Sequence, residues 1–367
     1  MGRRVLQVLG RSAGGTARHV AQIVERLDGG DGLVVDVAGP PEWPVAMPKP
    51  VYPVAIPNGP LGHGHAVRAL RGIATLGHYD VCHAHGLRAG LDSALSLRAT
   101  RVPVYVSVHN LVRPDVAGCG RHLLYRPLEP LLVALAARVF AASDEIAASL
   151  RQAAPRFAHK VEVLHLGVGD PPPLQRSATE VRAALGVGPG DRLVVTAARL
   201  APQKALHVLL GAIARLPSAV VLAVLGEGPS EAELRATAEH LGISGRVRWL
   251  GWREDVADHL AAADAFCLSS NWEACALAAQ EAMQLGTVVV STRVGGMPEL
   301  VTDGKTGRLV PKGDDATLAR ALDEVLGSAE LRARLAARAR AHLAAEFSSE
   351  RMLEHLAEAY RDAGRAP

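Results

Sequence analysis

The sequence predicts an α/β protein built from two doubly wound parallel-sheet domains, and three observations predict it. Short apolar, β-rich runs alternate with helix-length segments from one end of the chain to the other; this is the pattern of parallel strands covered by helices on both faces. At 367 residues the chain exceeds the size at which a single core stops growing, so two domains are the default. A proline-rich break, PPPLQRSAT (171–179), stops the alternation before it restarts.

In chain order, VLQVLG (5–10), LVVDVAG (33–39), VYPVAI (51–56), DVCHAHG (80–86), VPVYVSVH (102–109), RVFAAS (138–143) and KVEVLHL (160–166) have strand length. Most are followed by helical stretches such as TARHVAQIVERL (16–27) and GLDSALSLRA (90–99). After the break come RLVVTAARL (192–200), AVVLAVLGEG (219–228), VRWLG (247–251), AFCLSS (265–270), TVVVST (287–292) and GRLVP (307–311). From about residue 328 the pattern is helical only. The expected division is 1–170, 171–348 and a final helix within 349–367 that crosses back to the first domain. No internal repeat is visible at residue level.

Composition removes several function classes. The formal charge is only +3, and the 40 basic residues are spread along the chain, so no nucleic-acid footprint is present. Hydrophobic residues at 49% and charged ones at 21% describe an ordinary soluble protein. Cys82, Cys119, Cys267 and Cys275 show no CxxC pair, against structural zinc and a disulfide framework. The start MGRRVLQVLG lacks the length and cleavage site of a signal peptide. LLVALAARVFAA (131–142) is broken by Arg138 and too short to span a bilayer. The expected place is the cytoplasm. HAVRALRGIA (65–74) and GRHLLYRPLEPLLVALAARV (120–139) mix arginines with apolar residues. They read better as amphipathic helices packed on a sheet than as interfacial ones, with peripheral association at the inner membrane face as the lesser expectation.

In doubly wound folds ligands sit at the carboxyl ends of strands, and the distinctive motifs lie there. GRSAGGTARHV (10–20) follows the first strand, and its Gly14 and Gly15 can bring backbone N–H groups close to an anion. RLAPQK (199–204) places Arg199 at a strand end and Lys204 at the next helix start, two cations able to neutralise a diphosphate. GEGP (226–229) and VGGMPELVTDGKTGRLV (294–310) also follow strands, with DGKTG (303–307) reading as a plain turn. In NWEACALAAQEAM (271–283) two glutamates bracket an apolar run. On one helix they would stand about 12 Å and roughly 80° apart, too far to grip one small group. Glu273 is therefore expected in a loop and Glu281 on the helix after it.

These motifs resemble the retaining glycosyltransferases of family 4 (glycosyl transferases group 1), which have the GT-B fold: two Rossmann-like domains facing a central cleft. The resemblance rests on GGTARHV, RLAPQK, GEGP and above all on residues 269–314, and it spans almost the whole chain. It implies that the second domain binds a nucleotide sugar, with Arg199 and Lys204 on the diphosphate and Glu281 on the ribose. Glu273 and the backbone after it (Ala274, Cys275, Ala276, Leu277) would contact the donor sugar, and Gly226 would line the donor site. Gly14 and Gly15 would close over the phosphates from the first domain, and His109 would sit near the sugar. His85 is a better cleft candidate than His83. No D-x-D metal motif occurs, so metal-independent catalysis is expected, without a cofactor. The donor, a UDP- or GDP-sugar, is a substrate. The acceptor, a small molecule, glycan or lipid-linked compound, would bind the first domain, and a same-face displacement assisted by the leaving phosphate is the expected course.

The chain departs from the family at two places. Where members usually carry glycine after the first glutamate, this chain has Ala274-Cys275-Ala276, and alanine tolerates unusual backbone angles less well. Where proline-asparagine-glycine is common at the hinge, it reads His165-Leu166-Gly167. Cys275 reads as packing or pocket lining, not as a nucleophile. A nucleotide-sugar epimerase and a non-catalytic sugar-nucleotide sensor are the competing readings.

Overall fold

The structure is a computed structural model describing residues 2–11, 14–30, 32–43, 46–111 and 125–363. Cys119 and the first part of segment 120–139 lie outside the described residues. The chain forms two compact units, residues 1–167 together with 349–367, and residues 168–348.

The first unit holds β1 (Arg3–Leu9), β2 (Leu33–Gly39), β3 (Val51–Pro53), β4 (Val81–His85), β5 (Val104–Val108), β6 (Arg138–Ala141) and β7 (Val161–Val163). They form one seven-stranded sheet in the order β3-β2-β1-β4-β5-β6-β7, parallel throughout. Leu9 pairs with His85 and His85 with Ser107, so the carboxyl ends of β1, β4 and β5 lie side by side. In β1, Val5, Leu6, Val8 and Leu9 are all buried, as a strand covered on both faces requires. The final helix, Ser349–Arg361, buries Met352, Leu353, Leu356, Ala357 and Tyr360, an apolar stripe of helical period, against this unit.

The second unit holds β8 (Arg192–Ala197), β9 (Val220–Leu225), β10 (Val247–Gly251), β11 (Ala265–Leu268), β12 (Val289–Thr292) and β13 (Arg308–Val310), ordered β10-β9-β8-β11-β12-β13 and again parallel. The period of two divides each strand between two cores. Val194, Leu222, Cys267 and Val290 enter one, while Leu193, Val195, Phe266 and Val289 enter the other. All thirteen runs read as strands from the sequence form strands. Strand order reverses between β1 and β4 in the first sheet and between β8 and β11 in the second; such switch points are where doubly wound sheets open a crevice. Among the described residues no helix is long and apolar enough to cross a membrane.

Phe266 is fully buried, so Phe266→Ala is expected to destabilise the second unit by about 3–5 kcal/mol. Trp249, Trp252 and Trp272 all belong to that unit, so tryptophan fluorescence during urea unfolding reads the change.

Candidate active site

In the second unit, the loops after β8 and β11 meet at the switch point. Arg199 follows β8 and is exposed; among the described residues it enters no ion pair. The sequence placed Lys204 at a helix start. Instead, Lys204 ends a 3-10 turn, Pro202–Lys204, and Ala205 intervenes before the helix Leu206–Arg215. Ala205 has φ 46, a left-handed conformation that a β-carbon disfavours. Its loop is held from across the switch point. Ser269 Oγ donates to the Ala205 carbonyl (3.0 Å), Gln203 Nε2 donates to the Trp272 carbonyl (2.9 Å), and Asn271 N donates to the Gln203 carbonyl (2.8 Å).

Glu273 is 5% exposed. Its Oε1 accepts from Lys204 Nζ at 2.7 Å and from Ser270 Oγ. A carboxylate this deeply buried requires such partners. Two residues that the sequence offered separately are thus one ion pair. Glu281 lies on the helix Leu277–Leu285 and is half-buried, so the two glutamates stand on a loop and on the following helix. Ala276 gives that helix no side-chain cap, and while Ala279 N donates to the Ala276 carbonyl at 2.9 Å, the amides of Leu277 and Ala278 and the positive end of the dipole are left for an anion.

At Ala274-Cys275-Ala276, where alanine replaces the family's glycine, the backbone adopts no conformation that requires glycine. Among the described residues only His78 and Ala205 combine a β-carbon with positive φ, so alanine fits at 274 and 276. The demanding position is Gly295, with φ +55 and a would-be β-carbon 1.7 Å from the Glu273 carbonyl oxygen. Gly296 N donates to that same oxygen at 2.9 Å. Cys275 Sγ accepts from Gln280 Nε2 at 2.9 Å. Gly226 has φ +121, and a β-carbon there would meet the Ala198 carbonyl at 2.1 Å. It lets the β9 loop pack against the loop that carries Arg199.

In the first unit, Gly14 (φ 65) caps the helix Gly15–Leu27 with no side chain, again leaving amides for an anion. His85 ends β4 and His109 follows β5. With His19 and His83 they form a buried cluster. Nitrogens of His19, His85 and His109 lie within 4.8 Å of one another, the reach of a three-histidine metal site and a grouping that sequence spacing did not display. The His85 and His109 ring planes, however, are nearly parallel, at 9°, with His85 Nδ1 and His109 Nε2 3.1 Å apart. That is hydrogen-bond geometry; two lone pairs sharing an ion must instead converge on a third point. Burial pushes His109 down to about 4 and His83 to about 3 from 6.5, and holds His19 and His85 well below that value. The four imidazoles are neutral.

Two family descriptions match the chain in succession: Glycosyltransferase Family 4 over residues 13–170 and Glycosyl transferases group 1 over residues 177–342. The chain belongs to glycosyltransferase family 4. Among curated relatives of this family 4 protein, a lipopolysaccharide core biosynthesis glycosyltransferase of Rhizobium meliloti is 39% identical over 46% of the chain and 49% of the relative. The D-inositol 3-phosphate glycosyltransferase of Mycobacterium marinum is 32% identical over 78% of the chain and 64% of the relative. The chain therefore spans about half to just under two-thirds of the length of these relatives. Among solved structures, Anabaena HepE in complex with UDP superposes with a TM-score of 0.82 at 23% identity, over 98% of this chain and 100% of that one. WaaG, a glycosyltransferase of lipopolysaccharide biosynthesis, gives 0.74 at 18% identity, over 97% and 99%. The fold is GT-B.

Sequence reasoning passed over His19 and the residues that hydrogen-bond to the cluster, Gln7 on His85 and Tyr360 and Ser107 on His83. All but Ser107 left a signal. Gln7 is a lone polar residue inside the apolar run VLQVLG, and His19 and Tyr360 fall on the buried stripes of their helices.

The neutral histidines set a pH dependence. Folded, they bind no proton until well below 6.5; unfolded, they titrate near 6.5. Between about pH 6.5 and pH 4 the unfolded chain binds more protons, so stability falls as pH falls. The loss in the first unit is expected to reach several kcal/mol, because each tenfold difference in proton affinity between folded and unfolded chain corresponds to about 1.4 kcal/mol. All five tyrosines (Tyr52, Tyr79, Tyr105, Tyr125, Tyr360) belong to that unit, so tyrosine near-UV circular dichroism in urea, at pH 7 and pH 5, measures it.

Proposed function

We propose that this protein is a retaining, metal-independent glycosyltransferase of the cytoplasm that moves a sugar from a UDP- or GDP-sugar to a hydroxyl-bearing acceptor. The observation that carries this reading is the junction at the second sheet's switch point. There Lys204 pairs with the buried Glu273, Arg199 stands on the loop that carries Lys204, and the uncapped helix Leu277–Leu285 begins four residues after Glu273.

Breaking a sugar–phosphate bond leaves negative charge on the departing diphosphate. Fixed cations and helix amides stabilise it as it develops, at no cost of reorganisation. Arg199 offers its fork. The Lys204 ammonium has three donors, one of which already serves Glu273, so it can hold a phosphate oxygen as well. Glu273 accepts hydrogen bonds from the donor sugar's hydroxyls, Glu281 from the ribose hydroxyls, and the backbone from Ala274 to Leu277 borders the sugar. The acceptor hydroxyl attacks the anomeric carbon on the face that the diphosphate leaves, and its proton passes to the departing phosphate oxygen. In this role Arg199 and Lys204 do what a divalent cation does elsewhere.

HepE has been solved with UDP and with UDP-glucose, which favours a uridine donor. The curated relatives are named for an inositol phosphate and for lipopolysaccharide core, which supports a polyhydroxylated acceptor held by the first unit, whether a small molecule, a glycan or lipid-linked.

A thermal-shift screen of UDP-, GDP-, ADP- and TDP-sugars tests the donor. The true one at a hundred times its Kd stabilises by about 2.7 kcal/mol, and a flat response to all four classes overturns the reading. With donor and acceptor in hand, Arg199→Ala and Lys204→Ala are each expected to lower kcat/KM by about 10²–10³ in a sugar-release assay.

A further inference from the structure

One hydrogen-bonded chain runs through the first unit from His109 to Ser107. His109 Nε2 faces His85 Nδ1 (3.1 Å), and His85 Nε2 faces Gln7 Oε1 (2.8 Å). Gln7 Nε2 donates to the Tyr360 hydroxyl (3.0 Å). That hydroxyl lies against His83 Nδ1, and His83 Nε2 meets Ser107 Oγ (2.8 Å). Gln7, His83 and Tyr360 are 0% exposed, Ser107 2%, His85 4% and His109 7%. Exposure rises towards the His109 end, although His109 Nδ1 itself is buried.

Such a chain has two possible polarities, and the primary amide of Gln7 sets which one holds, because its two ends cannot both donate or both accept. With Nε2 on Tyr360, every link points one way. His109 donates to His85, His85 to Gln7, Gln7 to Tyr360, Tyr360 to His83, and His83 to Ser107. The proton left over is then on the Ser107 hydroxyl, a rotor that can turn towards an acceptor. The opposite polarity leaves the spare proton on His109 Nδ1, which has no partner and is fixed in the ring plane. A buried donor without a partner is the costlier arrangement.

We propose that Gln7 and Tyr360 are positioning residues that hold His85 and His109 as Nε2–H tautomers, so that His109 Nδ1, buried in this structure, is left bare as the acceptor a substrate hydroxyl would meet on entering the site. Tyr360 comes from the last helix of the chain, so the end of the sequence sets the chemistry at the end of β5. The role in transfer rests on the function proposed above; the tautomers do not.

The test is long-range ¹H–¹⁵N correlation NMR on the full chain labelled with ¹⁵N-histidine. The expected spectrum shows His85 and His109 protonated on Nε2 and unprotonated on Nδ1. Tyr360→Phe removes the group that orients the amide, and Gln7→Leu removes the amide itself. In either variant the His85 and His109 signals are expected to report both tautomers, with kcat for transfer about tenfold lower and the donor KM unchanged. His109 protonated on Nδ1 in the unaltered protein overturns the proposal. So do unchanged His85 and His109 signals in a variant whose near-UV circular dichroism shows it folded. If a variant does not fold, the spectrum of the unaltered protein decides the polarity alone. The expected spectrum in a protein that transfers no sugar overturns the proposed function and leaves the tautomer assignment standing.

Discussion

Each sheet of this protein is parallel throughout, and that constraint decides where chemistry can be placed. A parallel sheet sends the carboxyl ends of all its strands to one edge, and the loops leaving two neighbouring strands diverge only where strand order reverses. In the second sheet the reversal lies between β8 and β11. Residues seventy positions apart in sequence, the loop of Arg199 and Lys204 and the loop of Glu273, become neighbours there. In the first sheet it lies between β1 and β4, and the same geometry joins Gln7 to His85.

Both junctions carry polar groups in places that water barely reaches, and each solves the cost differently. Glu273 keeps its charge by taking Lys204 and Ser270 as partners. The histidines of the first unit give up their charge and pass hydrogen bonds along a line of neutral groups. On the function proposed above, a charged pair suits a site that meets a diphosphate, and a neutral chain suits one that offers a lone pair without attracting a counter-ion. The glycines serve the same economy of space, since Gly295 and Gly226 admit backbone approaches that any β-carbon would block.

The strands were legible because burial on both faces writes itself as a continuous apolar run, and the helices between them because their period differs. The loop-then-helix placement of Glu273 and Glu281 was legible from distance alone, since eight helical residues separate side chains too widely. The pairing of Lys204 with Glu273 was not, because nothing local to either residue specifies a partner across the sheet. The 3-10 turn before Ala205 escaped notice for a related reason: its left-handed alanine is held by Ser269, a contact made from the loop after β11. The replacement of glycine by alanine at 274 and 276 was visible in sequence, but that the position admitting only glycine is Gly295 was not, because the close carbonyl belongs to Glu273 on another loop.

Periodicity and length determined, without coordinates, that the chain folds as two doubly wound parallel sheets, because those properties repeat along the chain and need no knowledge of distant contacts; glycosyltransferase family 4 and its GT-B fold entered as a resemblance carried by the motifs, which the family descriptions bear out. Only the tertiary structure decided which polar groups share a hydrogen bond. Gln7, His83, His85, Ser107, His109 and Tyr360 are scattered over more than three hundred residues, and their chain exists because parallel register aligns three strand ends and the last helix closes over them. Hydrogen bonds act over about 3 Å, and sequence separation carries no information about distances that short.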